Sequence, residues 1–496
     1  MKKNITSALF FSIIISIQSI ASGYGKPVFY PSHWWTGMKN TALQLIIHAD
    51  NIAGDVITVS YPGVKLLKVN KAENKNYVFL DLIISPTAKP GKIKIHFKSE
   101  EGEGDTDYEL KRKSKDDGKT RIQGVTQADF IYLLMPDRFA NGDPSNDFFA
   151  DMRDTGHDRN NPFDRHGGDL KGIEDHLDYL KELGVTAIWP TPVVENDMAR
   201  TAEGGVSRST YHGYAFTDQY HIDRRLGGNE MYKQVVNAAH AKGLKFIQDA
   251  VYNHVGQDHW SIKDMPMKDW VNQWPSYTNT SYKDQPLVDP YASGIDRKIA
   301  VSGWFTPFLA DLNQRNPYVS NFLIQYAIWA TEEFGIDGWR IDTYFYSDPV
   351  FLDKINDALT KEFPALTVFG ETLVASVINA AYFSQNNYTN ISFKHNTPGI
   401  TDMPLTNALL DGLKQPFDGN NGVSKVYNTL AQDIVYKDPT RNCIFLDNHD
   451  LDRVYSVIGE DFSKYKNGNK LVTYTAGYSS IILWYRNINE EFKEPD

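Results

Sequence analysis

Little in this chain of 496 residues could cross-link it or anchor it in a membrane. Cys443 is its single cysteine, which excludes an intramolecular disulfide and a cysteine-rich zinc site. Beyond the first two dozen residues, no run reaches the roughly 18 apolar residues of a membrane span. We therefore expect stability to come from packing and the mature protein to have no membrane span.

An excess of positive charge is absent as well. The chain has 51 Lys and Arg against 62 Asp and Glu, which gives a net charge of -11. This balance opposes binding to a polyanion, so we expect no nucleic-acid partner. With 41% hydrophobic and 23% charged residues, the chain is neither disordered nor fibrous. The 13% of aromatic residues suits a buried core and also stacking on sugar rings.

Residues 1–22 have the layout of a secretory signal peptide. Lys2 and Lys3 precede the apolar stretch 8–17, and small residues follow from Ser19. No cysteine follows the apolar stretch, which excludes a lipoprotein anchor there. We expect export as a secreted, soluble protein, and a buried N-terminal helix is the alternative interpretation.

Two patterns divide the rest of the chain near residue 122. Residues 23–121 contain short alternating runs separated by turn residues, which is typical of a small all-β sandwich. In residues 122–465, apolar strand-like runs alternate with helical stretches. The candidate strands there are 131–135, 187–190, 245–251, 338–341, 367–369, 391–393 and 442–446.

This alternation predicts an α/β fold. Seven strands separated by helices favour a (β/α)8 TIM barrel that is one strand short, with the β-sandwich ahead of it. A doubly wound parallel sheet fits the same alternation and remains the alternative.

Acids and histidines follow the candidate strands at their carboxyl ends. They are Asp249 with Asn253 and His254, Arg340 with Asp342, Glu371, and His449 with Asp450. In a barrel these strand ends meet at one face, so three carboxylates would converge there. A surface or capping role is the ordinary interpretation of any single acid, but it does not account for four clusters at successive strands.

Two carboxyl groups are the minimum for hydrolysing a glycosidic bond. Asp342 lies two residues after Arg340, so both side chains share one side of the strand and the guanidinium can hold Asp342 ionised, as a nucleophile requires. Glu371 follows an apolar strand, where desolvation can keep a proton available for an acid. These residues predict a glycoside hydrolase.

The same strings resemble the signatures of the α-amylase superfamily. Asp249-Ala-Val-Tyr-Asn253-His254 resembles the first, Gly338-Trp-Arg340-Ile-Asp342 the second, Gly370-Glu371-Thr the third and Leu446-Asp-Asn-His449-Asp450 the fourth. Tyr211-His212-Gly213-Tyr214 adds a match after the second strand. The resemblance covers about residues 125–460.

The resemblance implies a retaining reaction at an α-linkage. Asp342 would be the nucleophile, Glu371 the general acid and base, and Asp450 the third carboxylate, which stabilises the transition state. The implied substrate-binding residues are Tyr214 as a stacking platform, together with His212, His254, Arg340 and His449.

The sandwich ahead of the barrel is similar to that of the cyclomaltodextrinase and neopullulanase branch, especially its periplasmic starch-utilisation enzymes. Their substrates imply cyclodextrins, pullulan, malto-oligosaccharides or starch as the α-glucan partner, and periplasmic localisation. Relatives often form homodimers through the sandwich. The aromatic-rich insertion 256–312 falls where the family carries domain B, and its aromatics either wall the cleft or form a small core.

The resemblance also implies a Ca2+ site in the loop after the first strand. Six residues would supply its hard oxygen ligands: Asn141, Asp143, Asn146, Asp147, Gly167 and Asp169. A solvated turn cluster is the alternative. After Asp342 the chain has Thr343-Tyr-Phe345-Tyr346, where many relatives place a Lys-His pair, so its leaving-group preference is open.

The tail, residues 466–496, does not resemble the family. A one-base shift of its back-translation yields Arg-Gly-Ile-Pro-Gln-Leu-Tyr-Phe-Gly, which resembles the family's eighth strand. We therefore expect a frameshift near residues 464–466, a missing or aberrant eighth strand, open edges on the first and seventh strands, and no C-terminal β-domain.

Three interpretations of function remain open from the sequence. The leading one is a retaining hydrolase of α-1,4 and also α-1,6 glucosidic bonds. A transglycosylase would differ only in whether water or a sugar captures the covalent intermediate. A non-catalytic glucan-binding protein or a truncated inactive homologue is the third.

Overall fold

The computed structural model describes residues 26–474 and 478–481, except residues 101, 204 and 390–392. The predicted signal peptide lies outside these described residues. Within them, no helix combines the length and the apolar character needed to cross a bilayer.

The first domain is a sandwich of two four-stranded sheets. In Gly91–Lys98, alternate residues Ile93, Ile95 and Phe97 are buried and the lysines between them are exposed, so the period-two pattern produces one buried face. One sheet has the order Val28–Tyr30, Ala42–His48, Tyr77–Ile84, Val64–Lys71, and the other Trp34–Thr36, Glu103–Arg112, Gly91–Lys98, Val56–Ser60.

The second domain is a closed barrel of eight parallel strands. In chain order they are Ile131–Leu134, Ala187–Pro190, Lys245–Ala250, Gly338–Ile341, Thr367–Gly370, Gly399–Ile400, Cys443–Phe445 and Tyr478–Ile481. A parallel bridge between Thr401 and Cys443 joins the sixth strand to the seventh. The barrel prediction is thus confirmed over the doubly wound alternative. The predicted boundary at residue 122 lies between the last sandwich strand and the first barrel strand.

The sixth strand is not where the sequence predicts it. Phe393, at the end of the predicted run 391–393, lies in a bend, and residues 391–392 are outside the described residues. The strand is Gly399–Ile400, which pairs with the fifth strand at Phe369 and Gly370. Two residues that begin with glycine carry too little apolar pattern to indicate a strand.

An eighth strand is present, so of the two predicted alternatives, a missing or an aberrant eighth strand, the missing one is wrong. Tyr478–Ile481 pairs in parallel with Cys443–Phe445 and, through Ile481, with Ile131 of the first strand. The pairing is irregular, with a register shift on one side and a single residue pair on the other. Strand pairing uses backbone groups, so a tail without a recognisable family signature can still fill the edge between the first and seventh strands, which the sequence led us to expect open.

The helices form the outer layer of the barrel and the insertion. The α-helices are Pro136–Phe139, Leu170–Asp175, Leu177–Glu182, Gly228–Ala241, Trp260–Lys263, Gln285–Val288, Gly294–Ser302, Pro317–Phe334, Pro349–Glu362, Val377–Tyr382, Met403–Lys414, Val423–Leu430, Val454–Val457 and Phe462–Tyr474. Single 3-10 turns are Ile52–Gly54, Pro144–Asn146, Arg224–Leu226, Lys268–Trp270, Tyr344–Tyr346, Ala431–Val435 and Pro439–Arg441.

Helix Pro317–Phe334 connects the two domains. Asn316 caps it by accepting a hydrogen bond from the Tyr318 N–H, Pro317 fits its first turn, and Gly335 ends it with a φ of 74°. The helix is buried on nearly every side because it lies between the barrel and the sandwich. The Gln325 side chain makes two 2.7 Å hydrogen bonds to the backbone of Gln44 in the sandwich.

A buried glutamate near the end of this helix holds the domain interface. Glu333 contacts His33 at 3.0 Å and Lys111 at 3.1 Å in the sandwich, and Lys233 at 3.1 Å in the barrel. Burial would raise the pKa of Glu333, but the hydrogen bond from His33 and the charges of His33 and the lysines lower it to about 2. Its ionised form therefore stabilises the docked domains.

The insertion 256–312 is closed at its base by two short antiparallel strands, His254–Gly256 and Leu309–Asp311. Two further short hairpin pairs flank it in the barrel: Val194–Glu195 with Asp218–Ile222, and Thr201–Glu203 with Val206–Arg208. Trp270 is fully buried, and Trp260 stacks on Tyr30 of the sandwich at 4.2 Å. These two tryptophans belong to the core and the interface.

We expect Glu333→Gln to lower the free energy of unfolding by about 2 kcal/mol at pH 7, because Lys111 and Lys233 lose their carboxylate partner and His33 loses its hydrogen-bond partner. The folded pKa lies below the ordinary value of 4.5, so the stabilisation is present above pH 4.5 and is lost as the pH falls toward 2. Urea unfolding should show that the loss of unfolding free energy in Glu333→Gln, relative to the parent protein, is less than half as large at pH 3 as at pH 7. Glu182→Gln, on an exposed barrel position, is the control; an equal effect of both variants contradicts the interface role.

Candidate active site

The parallel strands bring the predicted residues to one face of the barrel. Asp249 is on the third strand and pairs in register with Arg340 on the fourth, and Asp342 follows that strand directly. Glu371 follows the fifth strand, and His449 and Asp450 follow the seventh. All these positions are at carboxyl ends, where barrel proteins carry their functional groups.

Arg340 contacts three carboxylates at once. Its Nη1 donates to Asp342 Oδ1 at 2.7 Å and to the two oxygens of Asp249 at 2.9 and 3.1 Å, and its Nη2 donates to Glu371 Oε1. The planar guanidinium suits such multiple contacts. Arg340 thus fixes Asp342 and Glu371 a few ångströms apart.

One cation among three buried carboxylates leaves an excess of negative charge. Burial, opposed by Arg340, raises the pKa of Asp249 to about 6. Burial also raises the pKa of Asp342 well above its usual range, and Glu371, Asp249 and Asp450 add to that rise. Arg340 opposes this rise, as the expectation that it can hold Asp342 ionised requires, but Asp249 and Glu371 share the same guanidinium. The cluster favours holding a proton that its members share.

Glu371 is held from two sides. Besides Arg340, the Thr343 backbone N–H donates to Glu371 Oε2 at 2.9 Å. This donor is aimed by a left-handed conformation at Thr343, with φ of 46°. The turn also packs on Gly370, where a Cβ would lie 2.5 Å from the Tyr344 ring, so only glycine fits there. Thr343 was not among the predicted site residues.

Tyr214 lies between the third-strand acid and the seventh-strand histidine. Its hydroxyl donates to Asp249 Oδ2 at 3.0 Å and contacts His449 Nε2 at 2.7 Å. The rings of Tyr214 and His449 are stacked at 5.3 Å, and those of His212 and Tyr214 at 5.8 Å. Burial lowers the pKa of His449 to about 3, so this imidazole is neutral at pH 7. The three rings form one continuous aromatic surface.

His254 and Asp450 flank this group. His254 Nε2 lies 3.2 Å from the Tyr214 carbonyl oxygen, and burial lowers the pKa of His254 to about 4. Asp450 Oδ2 lies 3.5 Å from His449 Nε2. Its side chain is 48% exposed, against 8% for Asp342 and 4% for Glu371. Asp450 therefore lies at the open rim of the site.

Two further groups support the site: the sequence placed Asp249 at this face without giving it a role, and it did not single out Trp189. Trp189 Nε1, on the second strand, donates to Asp249 Oδ2 at 3.0 Å. Asp249 itself is the acid that links Trp189, Tyr214 and Arg340. The sequence signal existed, because both residues lie on barrel strands, but a buried tryptophan is ordinarily read as core.

The turn that follows Asp342 provides aromatic side chains. Phe345 and Tyr346 are buried, and the ring of Tyr346 meets Phe305 of the insertion edge to face at 4.9 Å. Phe305 also lies 5.8 Å from the His254 ring. An aromatic wall thus runs from His254 to the turn that the sequence marked as unusual.

The predicted calcium loop partly fits a hard cation. The Oδ1 atoms of Asn141 and Asn146 are buried and accept no hydrogen bond within the described residues, so both are amide oxygens of the kind that ligate a hard cation. Gly167 lies against both Asn141 and Asp147, at a position where a Cβ would collide with them. Among the described residues no cluster of three or more His, Cys, Asp or Glu suits a metal, so any cation depends on the asparagines.

Asp169 and Asp143 have other partners in this loop. Asp169 accepts hydrogen bonds from the backbone of Gly142, Asp143 and Gly172 and from the Asn146 side chain. Asp143 Oδ1 accepts from the Ser145 hydroxyl at 2.6 Å. Asp147 accepts two hydrogen bonds from Asn141 and also lies 3.5 Å from His157 Nε2. Asp169 therefore orders the loop. Only the lone pairs that these hydrogen bonds leave free could bind a cation.

The fold and the carboxylate cluster define a barrel protein with acid–base groups at the carboxyl ends of its strands. Two family models match the chain: the catalytic domain of alpha amylase over residues 131–486, and the cyclomaltodextrinase N-terminal domain over residues 29–114. The first covers well over half of the sequence. The chain therefore belongs to the alpha-amylase family, which confirms the resemblance that the signatures carry.

Named relatives agree with this family. The chain is 32% identical to a cyclomaltodextrinase of Thermoanaerobacter pseudethanolicus over 250 residues, and 32% identical to neopullulanase 2 of Thermoactinomyces vulgaris over 249 residues. Each match covers 49% of this chain and 38% of the relative, so the chain spans less than half the length of these relatives. An Anoxybacillus alpha-amylase structure is 29% identical with a TM-score of 0.58, covering 72% of this chain and 70% of that one.

The family match continues beyond Lys466, where the sequence led us to expect that the likeness ends. A frameshift near residues 464–466 stays a prediction, which sequencing of the coding DNA would test.

We expect Arg340→Met to destabilise the fold by about 3–5 kcal/mol at neutral pH, because three carboxylates lose their only shared cation. Without it the pKa values of Asp249 and Asp342, which burial already raises, rise further. A carboxyl with a raised folded pKa stabilises the fold only while protonated, so the loss grows as the pH rises. Thermal unfolding should show a larger Tm deficit at pH 8 than at pH 5.

Arg297→Met is the matched control, because Arg297 donates to the carbonyl oxygens of Asp289 and Ala292. A deficit of Arg340→Met that is the same at both pH values would contradict the shared-charge account.

Proposed function

We propose that this chain is a retaining hydrolase of α-glucosidic bonds in cyclodextrins, pullulan, malto-oligosaccharides or starch. The observation that carries the proposal is the contact of Arg340 with both Asp342 and Glu371 in a member of the alpha-amylase family. The names of the relatives, cyclomaltodextrinase and neopullulanase 2, support α-glucans as the substrate class.

In the first step Glu371 donates a proton to the glycosidic oxygen while Asp342 attacks the anomeric carbon. The bond to the leaving sugar breaks, and a covalent glycosyl ester forms on Asp342. In the second step Glu371 removes a proton from water, which attacks the same carbon and releases Asp342. Two inversions give overall retention. The short span of one guanidinium between the two carboxyl groups supports this course, because retaining enzymes hold them about 5 Å apart.

The cluster as a whole retains a proton, although among these acids it is the pKa values of Asp342 and Asp249 that burial raises. Three carboxylates with one guanidinium favour keeping a proton in the cluster, which the leaving oxygen needs. Arg340 contacts Asp342 at 2.7 Å and stabilises the negative charge that an attacking carboxylate requires. Burial makes both effects stronger than they would be in water.

The remaining predicted residues bind the sugar. The stacked rings of His212, Tyr214 and His449 provide a flat apolar platform for a pyranose face. Asp450, at the exposed rim, is free of Arg340 and can accept hydrogen bonds from sugar hydroxyls. His254 and the Phe305–Tyr346 wall bound the cleft on the side of the insertion.

We further propose that the chain is exported through residues 1–22 into the periplasm and that a homodimer forms through the sandwich, as the resemblance implies. Asn141, Asp143, Asn146, Asp147 and the Gly167 carbonyl would hold Ca2+, with Asp169 ordering the loop. A bound calcium ion would stabilise this loop next to the first strand.

We expect Asp342→Asn to reduce hydrolysis at least about 1,000-fold, because the attacking carboxylate is lost. Release of reducing sugar from β-cyclodextrin, pullulan and soluble starch measures the loss, and NMR of the first product anomer tests retention. Asp357→Asn, on an exposed turn of helix Pro349–Glu362, is the control and should keep full activity. A soluble, folded parent protein without any hydrolysis would favour the glucan-binding or inactive alternative, and longer products would favour transglycosylation.

Removal of calcium should lower the thermal midpoint of the parent protein by several degrees, because the buried Oδ1 atoms of Asn141 and Asn146 lose their partner. We expect EDTA to lower Tm and Ca2+ to restore it, whereas the double variant Asn141→Ala, Asn146→Ala responds to neither. Asn160→Ala, an exposed residue in the same loop region, should respond like the parent. An unchanged Tm of the parent in EDTA would exclude the site.

A further inference from the structure

A small pocket opens on the surface of the insertion, and none of its lining residues belongs to the carboxylate site. It has a volume of about 210 Å3, and three aromatic residues line it: Trp274, Tyr277 and Trp304. This is smaller than the roughly 300–1,000 Å3 of pockets that enclose a whole ligand. It suits one or two units of a chain that continues along the surface.

Its aromatic rings are rigid and arranged as a corner. The Trp274 indole N–H donates to the Ser302 carbonyl at 2.8 Å, and the Trp304 indole N–H donates to the Asn272 carbonyl at 2.9 Å. The rings of Tyr277 and Trp304 are perpendicular, at 87°, with centroids 6.3 Å apart. A ligand that binds there meets surfaces that are already ordered, which lowers the entropic cost of binding.

The polar lining carries no charge. Asn272, Gln273, Ser276 and Thr278 are the polar residues around the rings, and no carboxylate or cation is among the described residues that line the pocket. Lys298 lies over the Trp274 ring, 4.5 Å from its centroid, but does not line the pocket. Aromatic faces beside neutral hydrogen-bonding groups match a neutral polyhydroxy ligand, whose ring has an apolar face and polar edges.

The pocket is separate from the cleft and close to it. Trp304 and Phe305 are consecutive residues with different neighbours. Phe305 contacts His254 and Tyr346 at the cleft, whereas Trp304 faces the pocket. Tyr277 is 49% exposed, which leaves its ring available to a ligand from solvent.

We propose that Trp274, Tyr277 and Trp304 form an auxiliary site that binds an α-glucan chain outside the catalytic cleft. The identity of the ligand rests on the proposed function. Such a site holds a polymer on the insertion and raises the concentration of its glucosidic bonds at the cleft, one layer of side chains away. Short substrates, which cannot reach both places, gain nothing from it.

Affinity electrophoresis in gels with and without amylopectin tests this site. The parent for this assay carries Asp342→Asn, so that the polymer is not digested. We expect added Tyr277→Ala to weaken retardation at least about fivefold and added Trp304→Phe to weaken it less. Tyr291→Ala is the matched control, because Tyr291 is a 93% exposed tyrosine of the same insertion that does not line the pocket.

The inference is overturned if amylopectin does not retard the parent, or if Tyr277→Ala migrates like the parent and Tyr291→Ala. With Asp342 intact, Tyr277→Ala should hydrolyse a short chromogenic maltoside at an unchanged rate. Retardation that depends on Tyr277 in a chain without hydrolysis would reject the proposed hydrolase and keep the binding site. Hydrolysis by a chain whose retardation does not depend on Tyr277 would keep the proposed hydrolase and reject the binding site.

Discussion

The contact of one buried guanidinium with three carboxylates organises this active face. Arg340 bridges the third, fourth and fifth strands through Asp249, Asp342 and Glu371, so the positions of the acids depend on a single cation. Burial makes each unpaired charge costly, and the cluster lowers that cost by sharing Arg340 and retaining a proton. In the proposed reaction, the same sharing of Arg340 supplies a proton donor beside an ionisable nucleophile.

Much of this arrangement follows from the sequence because it depends on strand ends. Parallel strands place their carboxyl ends together whatever the side chains are, so Asp342, Glu371 and His449 could be assigned to one face before any coordinates. The sharing of Arg340 by three carboxylates could not be predicted from the sequence. A spacing of two residues shows that Arg340 and Asp342 are neighbours, but it gives no sign that Asp249 and Glu371 compete for the same guanidinium.

The misplaced strands have a physical explanation as well. Periodicity detects strands that bury several side chains, and the sixth strand, Gly399–Ile400, has too few. The eighth, Tyr478–Ile481, lies in a tail where we recognised no family signature, yet the family match and the strand pairing both extend over it. The aromatics of the insertion were equally ambiguous in sequence. Only the residues around each ring in the folded structure distinguish Trp270, which lies in the core, from Trp304, which lies at a surface pocket.

The helix Pro317–Phe334 has a consequence for how this protein can be taken apart or recombined. One of its faces belongs to the barrel and another to the sandwich, and its last residues lead straight into the strand that bears Arg340. A barrel expressed by itself would present this apolar face and the acid Glu333 to water. The sandwich is therefore an integral part of the catalytic unit, and exchanging it between homologues requires exchanging its side of that helix too.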